Sequence, residues 1–320
     1  MILENFTPAA IAESGELQAS DLFVGDASEF AELTNVSISE MHNLTIALAR
    51  VEHKCLVESN QELMEAGIKE FFAKAVETIK KWWNSFIAWL GSMWTKLKDV
   101  FYKREDWLKR NASAISGVSD DKLKGVKVSI GANIATSDFA GLASKAISEA
   151  KDAVGLAQHL SKDAVADSRS FIEKSKEKML GFLKTRDMKK SVAKNIHDDL
   201  IGESSEVELN KGLVSKLLKV ANDTFKAADQ MKGAKIVADA AIKEAEGLTR
   251  AQGGERDIVN ARVSYLRSIG PEVQALITGF TSAVSAANSQ AMPALVKVVG
   301  LAEKKPEAKQ EGTDVLAAFM

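Results

Sequence analysis

The most regular apolar pattern in the chain lies between residues 68 and 101. Apolar side chains recur there at alternating steps of four and three residues, the spacing that places them on one face of an α-helix. This stripe consists of Ile68, Phe72, Ala75, Ile79, Trp82, Phe86, Trp89, Met93, Leu97 and Val100. A second set widens it, namely Phe71, Val76, Trp83, Ile87, Leu90, Trp94 and Phe101. The pattern predicts a long amphipathic helix with a wide apolar face.

The chain before this helix divides into two parts. Residues 1–38 are rich in Ser, Glu and Asp and have weak apolar periodicity, which predicts an acidic, weakly structured N-terminal arm. From about Ser39 the apolar spacing becomes helical, so 39–110 is one predicted helical region that includes the aromatic helix. Residues 1–60 carry ten acidic side chains against two basic ones, whereas 68–104 carry eight basic against three acidic. An acidic start is therefore followed by a basic helix.

A short segment after the helical region has a different period. Residues 111–121 are rich in Ser, Asp and Gly, which predicts a break, and residues 126–130, VKVSI, alternate between apolar and polar. Alternation is the pattern of a half-buried strand. One strand needs a partner, either a second short strand that the pattern does not locate or a strand of another subunit. We assign 111–136 as a linker with a short strand.

Helical patterns resume in residues 137–302, an Ala-rich region predicted to be a helical bundle. Its segments carry many charges and few large side chains, so each buries little area and needs neighbours along its length. We expect Pro271 to begin the last helix, because proline is favoured in a first turn, and Pro293 to kink it. Residues 303–320 form a charged linker that ends in an apolar tip containing Phe319. Other segments expected to be helical are 142–160, 162–184, 213–231 and 235–248.

Composition supports a mainly α fold. Residues 9–270 contain no proline, and Ala, Lys, Glu, Leu and Ser dominate them, so long helices are permitted throughout. The predicted architecture is an elongated multi-helix bundle with one short β element near 126–130. Cys55 is the only cysteine, which excludes an intramolecular disulfide and favours a reducing environment. The N-terminal sequence has neither the basic segment nor the apolar run of a secretory signal peptide, so we expect none there.

The residue types that usually carry chemistry do not form a recognisable site. His42 and His53 are three helical turns apart, about 16 Å, which is too far to share a metal ion. The His-Asp-Asp sequence at 197–199 predicts a polar helix end before Gly202 rather than a metal pair. The Gly-Gly at 253–254 is followed by Glu-Arg, so it is not a phosphate-binding loop. We therefore predict a protein that is not an enzyme and that uses no cofactor, metal or small-molecule substrate.

The strongest local feature is KKWWNSFIAWLGSMWTK, residues 80–96, which holds four of the five tryptophans. Its uncharged part, 82–95, is shorter than the roughly 20 residues that cross a bilayer. It fits the core-facing helix of a bundle, a subunit interface, or a helix in a membrane surface. Core or subunit packing is favoured, because aromatic stripes at helical spacing usually face a core. The candidate contact residues are Phe72, Trp82, Trp83, Phe86, Trp89, Trp94, Phe101, Trp107 and Phe319.

The order of features along the chain carries a family resemblance. An acidic arm precedes the Lys/Trp/Phe helix, which is followed by REDWLKRN and then by the strand segment DDKLKGVKVSI. Over roughly residues 40–135 this order resembles uncharacterised virion structural proteins of large tailed bacteriophages. The resemblance implies a structural or internal head protein of the virion, assembled in the bacterial host cytoplasm, with itself and other virion proteins as partners. Such phages often trim head proteins after Leu/Ile-x-Glu motifs, and Ile11-Ala12-Glu13 makes Glu13 the candidate processing site.

These features together predict a non-enzymatic structural protein of a bacteriophage virion, with an internal head protein as the specific form. It would assemble through helix packing and terminal arms. The alternative is a membrane-active helical protein, either pore-forming or an ejected channel component, with 68–104 at a lipid interface. A third hypothesis is DNA contact by the basic residues of 69–110. The oligomeric state, a head or tail location, and cleavage of the arm do not follow from the sequence.

Overall fold

The computed structural model describes residues 64–160, 168–248 and 256–303. In these ranges the chain forms eight α-helices and one two-stranded antiparallel sheet, which confirms the predicted mainly α fold with a short β element. In chain order the elements are α1 (Met64–Gly117), α2 (Asp120–Leu123), β1 (Lys127–Gly131), α3 (Phe139–Gly155), α4 (Ser168–Met179), α5 (Val192–Leu200), β2 (Ser204–Glu208), α6 (Lys211–Met231), α7 (Lys235–Leu248) and α8 (Arg256–Glu303).

Helix α1 is 54 residues long, which corresponds to about 80 Å at 1.5 Å per residue. It continues through 111–117, so the break that the Ser/Asp/Gly composition predicted over 111–121 begins only after Gly117. The polar side chains satisfy themselves within the helix, because Asn111 donates to the Trp107 carbonyl and Ser116 to the Ala112 carbonyl. Ile115 is buried and holds this last part of the helix on the core.

Helix α8 is continuous from Arg256 to Glu303, with both prolines inside it. The prediction that Pro271 begins a helix was therefore wrong. An interior proline removes one backbone hydrogen bond and costs a helix about 3 kcal/mol. Burial on either side offsets this cost, since Ile269 and Val273 are fully buried and so are most later turns of the helix. A helix that is apolar around most of its circumference belongs inside a bundle.

The other helices surround α8, which packs against α1, α3, α4, α5, α6, α7 and strand β1. Their inner faces are built largely from alanine, with Ala143, Ala146 and Ala150 of α3 fully buried. Small side chains let the helix axes come close together. The helices therefore bury apolar area by contact along their whole length rather than through a few large residues. Helix α7 has the predicted bounds 235–248, whereas α4 ends five residues before the predicted 184.

Strand β1 pairs with β2, which answers the question of its partner. Lys127 lies opposite Glu208 and Gly131 opposite Ser204, so both strands belong to one chain. Val128 and Ile130 of β1 point into the core, as the alternation predicted. Gly131 is needed at the end of the strand, because a Cβ there would lie 2.4 Å from the carbonyl oxygen of Ile201.

Candidate functional site

The apolar face of α1 is buried inside the bundle. Its buried residues follow steps of three and four from Val76 through Ile79, Trp83 and Phe86 to Leu90. Further along, the same face buries Phe101, Leu108 and Ile115. The buried face therefore combines the two stripes of the sequence pattern, with Ile79 and Phe86 from the first and Val76, Trp83 and Leu90 from the second. The helix packs mainly against α7 and α8.

Four aromatic side chains form a continuous cluster on this face. The rings of Trp82 and Trp83 meet edge to face with 4.5 Å between centroids, and Trp83 meets Phe86 in the same way at 5.7 Å. Phe86 then stacks on Trp89 at 5.7 Å. Such offset and edge contacts contribute about 0.5–1.5 kcal/mol per pair beyond the area they bury. The cluster is thus a packed core element of the chain.

Trp82 reaches α8 at a glycine. A Cβ on Gly270 would lie 2.9 Å from two ring carbons of Trp82, closer than any ordinary contact. Gly270 therefore leaves room for the indole ring of Trp82, and any side chain at this position would collide with it. The chain itself covers both adjacent tryptophans, since Trp82 packs against α8 and Trp83 is fully buried.

The remaining candidate contact residues differ in burial, and the structure does not describe the side chains of two of them. Trp89, Trp94 and Trp107 are half-buried, and the ammonium group of Lys232 sits 4.8 Å above the Trp94 ring, a cation–π distance. Phe101 is buried and meets the ring of Phe225 on α6 at 5.8 Å. Phe72 belongs to α1, but its side chain lies outside the described part of the structure, as do the predicted sites Glu13 and Phe319.

The outer face of α1 carries ion pairs rather than a continuous basic surface. Lys81 pairs with Glu77, Lys109 with Glu105 and Arg110 with Asp106, each one helical turn apart. Lys80 reaches across to Glu246 on α7 at 2.6 Å. Exposed pairs of this kind add little stability, because solvent screens the charges. They neutralise Lys80 and Lys81 of the basic residues in 68–104, and Lys109 and Arg110 beyond them.

A buried polar network lies further along the same face of α1. Arg104, only 2% exposed, donates to the side-chain oxygen of Asn288 on α8 at 2.8 Å. Asn288 in turn donates to the hydroxyl of Thr224 on α6 at 2.9 Å, and Thr224 donates to the Ala221 carbonyl at 2.7 Å. Three helices are thus joined at one point in the core. Each polar group in such a network has to be satisfied, because an unsatisfied one costs about 1–3 kcal/mol.

The sequence pattern missed Arg104 as a core residue, although its position was readable. Arg104 lies four heptads after Val76, in step with Trp83 and Leu90. A charged residue in that register marks a polar layer in an otherwise apolar face. Arg104 was counted only among the eight basic side chains of 68–104, because charge was considered before register.

Other buried polar side chains also connect secondary-structure elements. The hydroxyl of Tyr265 on α8 donates to the Ala153 carbonyl of α3 at 2.7 Å, and burial raises the pKa of Tyr265 to about 12. Asp199, in the His-Asp-Asp sequence, accepts backbone hydrogen bonds from Lys184 and Thr185. Its helix α5 ends at Leu200, before Gly202 with a φ of +71°, so the predicted polar helix end is confirmed. These groups therefore have structural roles.

The described ranges contain neither a metal-binding cluster nor a membrane-spanning helix. No group of three or more His, Cys, Asp or Glu side chains there is arranged to hold a metal ion. None of the described helices is both long and apolar enough to cross a membrane. The histidines His42 and His53 and the Gly-Gly at 253–254 lie outside the described residues.

Comparison with protein-family models, with curated proteins and with solved structures finds no match to this chain.

Proposed function

We propose that this chain is a non-enzymatic structural protein of a bacteriophage virion, with an internal head protein as its specific form. The structural role is supported by the buried polar side chains, which join secondary-structure elements to one another. Arg104, Asn288 and Thr224 join three helices, Tyr265 joins two, and Asp199 fastens a connecting segment. Polar groups committed in this way stabilise one arrangement of helices. The virion setting is supported by the resemblance over residues 40–135.

The packing of α1 limits which surfaces are free to contact other proteins. Trp82, Trp83 and Phe86 are covered by the chain's own helices, so they are not free to meet another subunit or a lipid surface in this conformation. Contacts with other copies and other virion proteins then fall to the outer surface and to the terminal segments 1–38 and 303–320. The membrane-active alternative would require α1 to leave the bundle and expose this aromatic cluster, at a cost of about 1.5–3 kcal/mol for each large side chain exposed to water.

Mass spectrometry of purified particles tests this proposal. We expect the chain to sediment with density-gradient-purified virions produced from the genome that encodes it, and to stay with them after a high-salt wash. We also expect a semi-tryptic peptide that begins at Ser14, the product of cleavage after Glu13. Finding the chain only in the soluble or membrane fraction of the lysed host would contradict the virion role. Recovery of intact Met1 from particles would remove the processing step alone.

A further inference from the structure

A basic surface lies away from α1, on the end of α4, the connecting segment and the first turn of α5. Residues 178–194 contain one acidic side chain, Asp187, and six basic ones, all of which are exposed. The six are Lys178, Lys184, Arg186, Lys189, Lys190 and Lys194. We call these six the 178–194 basic surface.

The carboxylates near this surface are already engaged. Asp187 accepts a hydrogen bond from the backbone N–H of Lys189. Asp198 is shared by Lys190 at 2.8 Å and Lys194 at 2.7 Å, and hydrogen bonds from these two ammonium groups hold the pKa of its carboxyl well below the usual range. Two cations for one carboxylate leave excess positive charge.

Further carboxylates around the surface are used in the same way. Glu177 lies 3.6 Å from Arg186, and Glu272 of α8 lies 3.7 Å from Lys176. Asp199 is buried beneath the connecting segment, where it binds backbone N–H groups. Within the described ranges no carboxylate forms an ion pair with Lys178, Lys184 or Lys189. Their charges are therefore available to an external anion.

The backbone that carries these lysines is held in place. Asn195 of α5 bonds to both the N–H and the carbonyl of Asp187 and also to the Ser191 carbonyl. Phe182 meets Phe280 of α8 at 6.5 Å, and Leu180 is fully buried. A charge pattern on an anchored backbone loses little entropy when it binds, which favours affinity.

The surface faces away from α1. Gly279 of α8 lies against Ala193 of α5, whereas Gly270 lies against Trp82 of α1. Nine residues of an α-helix correspond to two and a half turns, so these two contacts are on opposite sides of α8. The acidic residues of 1–60 precede α1 in the chain, and α1 lies on the other side of α8 from this surface. An external polyanion fits the placement better.

We propose that the 178–194 basic surface binds the phosphate backbone of nucleic acid without base specificity. Exposed cations on a fixed backbone attract phosphates by charge and by the release of condensed counterions. This assignment differs from the basic residues of 69–110, where Lys80, Lys81, Lys109 and Arg110 are each paired with a carboxylate. It does not depend on the virion role.

Fluorescence anisotropy with a labelled 30-base-pair DNA duplex tests the proposal on the full chain. The variant K178E/K184E/K189E reverses the three unpaired charges, and K216E/K219E/K243E makes the same change in net charge at exposed lysines of α6 and α7. We expect the first variant to bind at least about tenfold more weakly at 50 mM salt. The slope of log affinity against log salt should become shallower by about 2.7, which is 0.9 for each lost phosphate contact. The control variant should bind like the wild type.

Three results would overturn the proposal. One is absence of duplex binding by the wild-type chain at 50 mM salt. Another is an equal loss in both variants, which would indicate a net-charge effect rather than a site. The third uses a synthetic peptide of residues 1–35, which has seven acidic and no basic side chains. If this peptide binds the surface while the duplex does not, the occupant is the chain's own acidic segment. Thermal unfolding of both variants checks that they are folded.

Discussion

Replacing Trp83 with alanine is expected to lower the free energy of unfolding by about 3–5 kcal/mol, the usual cost of truncating a large buried aromatic residue. Trp83 is fully buried and makes edge-to-face contacts with both Trp82 and Phe86, so its loss leaves a cavity in the middle of the α1 face. Urea unfolding followed by circular dichroism measures the change.

Two matched variants make this test specific. Tyr102→Ala on the same helix removes a side chain that is 69% exposed and should change stability by less than about 0.5 kcal/mol. Trp83→Phe should lower stability less than Trp83→Ala. Phenylalanine keeps an aromatic ring in the core, and no hydrogen bond is lost, because the indole Nε1–H has no acceptor in the part of the chain that the structure describes. If Trp83→Ala and Tyr102→Ala had equal small effects, Trp83 would not be a core residue.

Replacing Asn288 with alanine is expected to lower the free energy of unfolding by about 3 kcal/mol. The change removes an acceptor of the buried Arg104 guanidinium and a donor to Thr224. Hydrogen bonds to charged groups contribute about 1.5–3 kcal/mol, and a buried group that loses its partner pays its desolvation cost in full. Because guanidinium stays charged, the loss should be the same from pH 5 to pH 9.

A double-mutant cycle separates the network from simple loss of volume. Thr224→Val keeps the shape of the side chain but removes its hydroxyl, so it should cost about 1 kcal/mol by itself. Combined with Asn288→Ala, its effect should be smaller than the sum, since the shared hydrogen bond is lost only once. Strict additivity of the two changes would contradict a coupled Arg104–Asn288–Thr224 network.

The helix of the aromatic segment was predictable from its spacing, but the centre of its buried face was not. Two interleaved apolar stripes run along α1, one through Trp82 and Trp89 and one through Val76, Trp83 and Leu90. Periodicity measures which positions share a face and contains no information about the neighbour that covers it. Packing against α7 and α8 buries members of both stripes, such as Phe86 of the first and Trp83 of the second, and leaves Trp89 half-buried. Gly270 decides how Trp82 is accommodated.

Helix α8 was predicted too short because proline was given priority over burial. Residues 273–296 carry no charge at all, a run longer than the uncharged part of the tryptophan segment. Such a run indicates a central helix when its polar residues are small, as Thr281 and Ser285 are. Weighing the run before Pro271 would have located the middle of the bundle.

The partner of strand β1 could not be predicted from the sequence, for a different reason. Strand β2 reads SSEVE, and Val207 is its only apolar residue, so it has no alternation to recognise. Its four other side chains are exposed, and pairing with β1 alone makes it a strand. The polar layer at Arg104 was readable from register, whereas its partners Asn288 and Thr224 depend on tertiary packing.

Hydrogen–deuterium exchange of the isolated protein tests most directly whether the aromatic face of α1 is an internal core element. The amides of 76–90 are the ones to follow by mass spectrometry, in the absence of lipid, nucleic acid or other proteins. The packing described here predicts exchange at least about a thousandfold slower than in an unstructured peptide, as for amides that open only with the core. Exchange at the rate of an unstructured peptide would mean that α1 is not packed in the isolated chain. The aromatic face would then be a surface that needs a partner or a membrane to cover it.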